Sequence, residues 1–130
     1  MALESKLILK GHSKENKGIN VLDCHYGIVR KTDDLGRPFS DAKAGMIELS
    51  LISGDDPDLI NWIFALEAIE GEIVFYNKRT NNAVSKVKFK DAYIVNYEFN
   101  YSSFDSEVLK ITISAGVITL GNYTHHNTWK

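Results

Sequence analysis

Three separate stretches of this chain alternate apolar and polar residues one by one, and that period admits little besides the β-strand. Ile47-Glu48-Leu49-Ser50-Leu51, Lys86-Val87-Lys88-Phe89-Lys90 and Ile111-Thr112-Ile113-Ser114 each put apolar side chains on one face and polar ones on the other. Such one-sided strands belong to antiparallel sheets that pack on one face and meet water on the other. Residues 7–10, 19–29, 72–76 and 93–99 also read as strands, and Asn81-Asn82 supplies the turn between Tyr76 and Val84. About seven strands are expected.

One segment, DDPDLINWIFALEAIEG, departs from the alternation. Asp56 suits an N-cap, Pro57 the first helical position, and Asp58 the positive end of the helix dipole. Leu59, Trp62, Ile63, Leu66 and Ile69 follow at spacings of three and four, which predicts one apolar stripe on a helix over about residues 56–70, stopped by Gly71. The expected fold is mainly β, an antiparallel β-barrel of two packed sheets with this amphipathic helix over an open end or one side. Residues 1–130 read as a single domain.

Composition narrows the function classes. A net charge of −2 argues against a general binder of nucleic acid. The lone Cys24 forbids an intrachain disulfide. The opening MALESKLILKG lacks the apolar run of a signal peptide and nothing downstream approaches a membrane span, so folding in the cytoplasm is expected, without membrane insertion. The sequons Asn100-Tyr101-Ser102 and Asn122-Tyr123-Thr124 carry little weight in that setting.

The sequence offers little for catalysis. Cys24 and His25 are neighbours on a strand, so their side chains leave by opposite faces, the thiol inward and the imidazole outward. Adjacent His125 and His126 are a poor chelating pair for the same reason, even with His12 or His25 as a third leg. Lys86, Lys88 and Lys90 make a basic stripe suited to solvent or to an acidic partner surface. Asp33-Asp34 and Asp55-Asp56 read as turn and cap residues. No phosphate loop, nucleophile elbow or zinc signature occurs, and no catalytic residue, cofactor or metal is expected. A ligand-binding barrel has a similar length, but Leu49, Phe75 and Phe89 are bulky enough to fill its interior.

The stretch RKTDDLGRPFSDAKAG, between two expected strands, is too long and polar for a hairpin turn. Asp33, Asp34, Gly36, Arg37, Pro38, Phe39 and Ser40 predict an exposed arm that bends at the glycine and is stiffened at the proline.

Taken in order, several pieces resemble the Hcp (TssD) tube protein family of bacterial type VI secretion systems. They are Lys6 to Gly11, Val21 to Tyr26, Gly36-Arg37-Pro38, Ile47-Glu48-Leu49, Leu59 with Trp62, Gly71 to Tyr76, Asp91-Ala92-Tyr93, Ile113-Ser114-Ala115 and Asn127-Thr128-Trp129. Relatives tend to carry paired glycines where this chain has Ala44-Gly45, and the polar stretch 12–18 is longer here. The resemblance implies a non-catalytic subunit of a hexameric ring. Rings stack into a tube within a contractile sheath, which drives the tube, with spike and effectors, out of the cell. It also implies effectors held inside the ring, and export from the cytoplasm without a signal peptide. A phage-tail-like or extracellular contractile device shares this architecture. The arm at Asp33 to Ser40 is then the ring-stacking contact, with Arg37 for carboxylates and Phe39 as an apolar anchor. Trp129 is expected to dock the C-terminal end on its own or a neighbouring subunit.

Overall fold

The computed structural model describes residues 3–13, 15–28, 32–38, 45–52, 56–77, 79–101 and 107–127. Its elements run β1 (Leu3–Leu9), β2 (Ile19–Tyr26), β3 (Met46–Ile52), α1 (Pro57–Ala65), β4 (Ile69–Asn77), β5 (Ala83–Asn100), β6 (Val108–Leu120) and β7 (Tyr123–His126). The strands hydrogen-bond in the order β3-β2-β1-β4-β5-β6-β7, and β3 also pairs with β6. That extra pairing closes six strands into an antiparallel barrel and leaves β7 as an annex on β6.

The barrel is two sheets that share strands. In one, β2, β3, β6 and the second half of β5 are neighbours, with Tyr26, Ile47, Ile113 and Ile94 along one cross-strand row. In the other, β1 and β4 join the first half of β5 and the end of β6. Strand β5 serves both because it bends at Asp91, where φ is +49° and one extra residue is inserted against β4. The alternation reads residues 86–90 and 93–99 as two strands. They are one bent strand, and the seventh strand is the short β7 instead.

Between the sheets the inward faces interlock. Leu7, Ile47, Leu51, Ile73, Val87, Leu109 and Ile113 have no exposed surface, and Leu49 and Phe89 are buried beside them. Among the described residues the barrel interior is therefore a packed core. Gly71 lies in β4, where a Cβ would run into the Ile8 carbonyl oxygen of β1. It lets two strands approach and has no part in ending the helix.

The helix stops earlier than the apolar periodicity implies. Leu66 adopts the left-handed conformation (φ 53°, ψ 44°), and the Leu66 and Glu67 amides donate to the Ile63 and Trp62 carbonyls at 3.2 and 3.0 Å. This Schellman-type stop takes Leu66 out of the expected stripe, leaving it 74% exposed. Ile69 is buried, but from β4 rather than from the helix. Leu59 is fully buried, with Trp62 and Ile63 packed partly against the core.

Among the described residues, two half-strands have a partner on one side only. β1 pairs with β2 at Ile19, Asn20 and Val21 and no further, while β3 follows β2 to Tyr26. β4 leaves β5 at Ala92, while β6 follows it to Asn100. The four-stranded sheet β2-β3-β6-β5 thus ends, among the described residues, in one half-edge at each side. Each half-edge carries a bulge with an exposed apolar residue: Leu22 in β2, 57% exposed, and Val95 in β5, 55% exposed.

Candidate functional site: the arm and its anchor

Of the expected arm, residues 32–38 are described; Phe39 and Ser40 lie outside the described residues. Asp33 organises the turn. Its Oδ1 accepts from the amides of Leu35 (2.9 Å) and Arg37 (3.0 Å), and its Oδ2 accepts from Arg37 Nε (2.9 Å). The Asp33 amide donates to the Arg37 carbonyl, the Gly36 amide to the Asp33 carbonyl, and a lone bridge joins Thr32 to Pro38. Gly36 at φ +82° makes the reversal at little strain. The Arg37 amide above all, then the Leu35 amide and the Arg37 side chain, hold the Asp33 carboxyl below its ordinary range.

Arg37, which the sequence assigns to a partner's carboxylate, has its Nε on Asp33, and its side chain is 72% exposed. Asp34 is exposed. Beside it the turn exposes Leu35, 77% accessible. Sequence reasoning passed over Leu35 because a single leucine in a polar loop has no periodicity to mark it.

The arm rejoins the barrel at a fork. Along one edge of β6, β3 is the neighbour as far as Ser114 and β7 takes over from Val117. At the handover the Ala115 amide donates to the Gly45 carbonyl, Asn127 Nδ2 donates to the Ala115 carbonyl, and the Asn127 amide donates to the Gly116 carbonyl, each at 2.8 Å. Gly45 has φ +111°, and a Cβ there would lie 2.5 Å from the Ala115 oxygen and 2.7 Å from Asn127 Nδ2. Gly45 is far in the chain from Ala115 and Asn127, which are 12 residues apart across the β6–β7 turn, and the fork brings all three together. Gly45, which precedes β3, and Asn127, which follows β7, therefore meet at one point on β6. Trp129 lies outside the described residues.

A second polar cluster fixes the helix. Asp56, buried, caps α1 by accepting from the Leu59 amide (3.2 Å), and its other oxygen meets His12 Nε2 at 2.7 Å. An ionised carboxylate only accepts, so this contact suits the His12 tautomer with its proton on Nε2. The Ser13 amide donates to Asp58 (3.0 Å), which, ahead of the nearby His12, holds the Asp58 carboxyl below its ordinary range. Trp62 meets the His12 ring edge-on at 5.8 Å, and the Asp56 amide donates to the Tyr97 hydroxyl. His12, Asp56 and Asp58 are the one group among the described residues with metal-ligand spacing. Their donor atoms serve the cap and the turn before it, at a helix end whose dipole repels cations. The cluster ties the segment after β1 to the helix.

Cys24 packs against the core while His25 is exposed, so the pair diverges as strand geometry requires. Burial, then the Asp23 charge, push the Cys24 thiol up to about 11, far from a reactive thiolate at neutral pH. His125 bonds Asn127 Oδ1 at 3.0 Å beside the fork, and His126 is exposed.

The family model for hemolysin coregulated protein Hcp (TssD) matches residues 1–130. The chain belongs to the Hcp (TssD) family. It is similar to Hcp1 from Flavobacterium johnsoniae, with TM-score 0.84 and 26% identity over 95% of this chain and 99% of that one. Hcp1 from Salmonella typhimurium shares the fold, at TM-score 0.71 and 16% identity over 91% and 85% of the two chains. So does a type VI secretion system effector from Yersinia pestis, at TM-score 0.63 and 15% identity over 90% and 86%. No curated protein sequence matches the chain. Hcp proteins are tube components of type VI secretion and not an enzyme family. The resemblance met in the sequence is thereby established for the fold and the family. The Asp91-Ala92-Tyr93 motif is the bend of β5, and Asn127 holds the fork.

Proposed function

We propose that this Hcp protein closes into a six-membered ring by edge-to-edge strand pairing, and that rings stack into a tube expelled by sheath contraction with spike and cargo. The observation that carries the reading is the four-stranded sheet with a half-edge at each side. Its strands alternate in direction, so β2 of one copy laid against β5 of the next continues the antiparallel order, a heterologous contact that repeats and can close. Exposed half-edges with apolar bulges at Leu22 and Val95 are the kind of surface a subunit must cover. The arm, with Leu35 at its tip and Gly45 at its root, is suited to reach the next ring. The six copies, the sheath and the route out of the cytoplasm come from the family.

Electron microscopy of the purified protein tests this reading. Class averages with six-fold rings and an open centre are expected. Monomers at high protein concentration would overturn it.

A further inference from the structure

We infer that the wall of the central hole is acidic and takes cargo with a cationic surface. This inference rests on the proposed ring and deepens it. Six copies of the four-stranded sheet, at about 4.8 Å per strand, make a circumference of roughly 115 Å and a radius of ~18 Å. Each copy's other sheet packs about 10 Å away. Placed inside, it would sit at a radius of roughly 8 Å, with room for only about eleven strands from all six copies. Each copy's second sheet brings β1, β4 and the remaining parts of β5 and β6, so six of them fit only on the outside. The solvent face of β2-β3-β6-β5 therefore lines the hole.

That face is charged in two cross-strand rows. Asp23, Ser50, Lys110 and Glu98 lie opposite one another in the first; the second holds His25 opposite Glu48, with uncharged residues beyond. All but Ser50 of these six are exposed, and they border one shallow groove of about 350 Å³. Three carboxylates stand against one lysine, an excess of two negative charges per copy that six-fold repetition multiplies around a confined space. The outer sheet is mixed: Lys86, Lys88 and Lys90 are exposed, but Glu72 lies opposite Lys88 and Glu70 pairs with Lys10. A cationic protein surface is thus drawn to the hole.

The test uses rings first verified by microscopy, a fluorescent octalysine peptide and a neutral glycine-serine octamer. Rings should retain octalysine, less so as salt rises, and should not retain the neutral peptide. Glu48 and Lys110 sit on central strands away from the seams. Glu48→Lys should weaken retention by roughly threefold or more, and Lys110→Glu should strengthen it by a similar factor. Intact rings that hold both peptides equally, or whose octalysine binding ignores both substitutions, overturn this inference alone. Absence of rings overturns the proposed assembly and this inference with it.

Discussion

Leu66 occupies a backbone conformation that suits glycine, and its side chain contributes little burial in return. Leu66→Gly should stabilise the protein by about 0.5–1 kcal/mol, a rise of a few degrees in thermal denaturation. A fall in melting temperature would mean that the exposed leucine packs on something. Gly45 is the reverse case. With φ +111° and the Ala115 oxygen in the way, Gly45→Ala should lose about 2–3 kcal/mol in urea denaturation, since both strain and the fork's hydrogen bonds are at stake. Asp33 gives a pH signature. Its folded-state pKa lies below the ordinary value of 3.8, so its contribution is complete above that value and is lost as pH falls through the depressed one. The Leu35 and Arg37 amide resonances should therefore titrate with a midpoint below 3.8, and a midpoint at or above it would refute the turn geometry. These residues were unequally legible. Gly36 and Pro38 announce a bend in sequence, whereas Leu66 at the helix stop conflicts with local propensity, and no sequence rule places a leucine there.

At the scale of elements, alternation located most strands because each has one face in the core, and period two is the imprint of that burial. The same signal failed at β5. Asp91 shifts the alternation by one residue, so one bent strand reads as two. β7 was missed because, apart from partly buried His125, its residues are exposed and no face writes a pattern. The helix start was legible through Asp56 and Pro57, but its partner His12 comes from a segment 44 residues away that only the fold brings near. The half-edges were invisible as well, since pairing partners are a property of topology. They yield a direct prediction: Leu22→Lys together with Val95→Lys should leave the melting temperature nearly unchanged while light scattering reports monomers in place of rings. Rings that survive both charges would mean that the seam lies elsewhere.

For the whole molecule, the proposed tube gives the arm and the seams separable contributions. Leu35→Ser with Arg37→Ala should leave six-fold rings intact and shorten or abolish stacks in electron micrographs; loss of the rings themselves would assign the arm to contacts within a ring. Family and fold were legible in the ordered set of short motifs, but the grouping of Gly45, Ala115 and Asn127 needed three dimensions. The shared sheet has a mechanical consequence. In the proposed ring its strands run along the tube axis, and the hydrogen bonds across every seam lie perpendicular to them. Axial thrust then loads those bonds in shear, all together, instead of peeling them one after another. A wall built this way is stiff against being pushed end-on and weakest against prying at a seam.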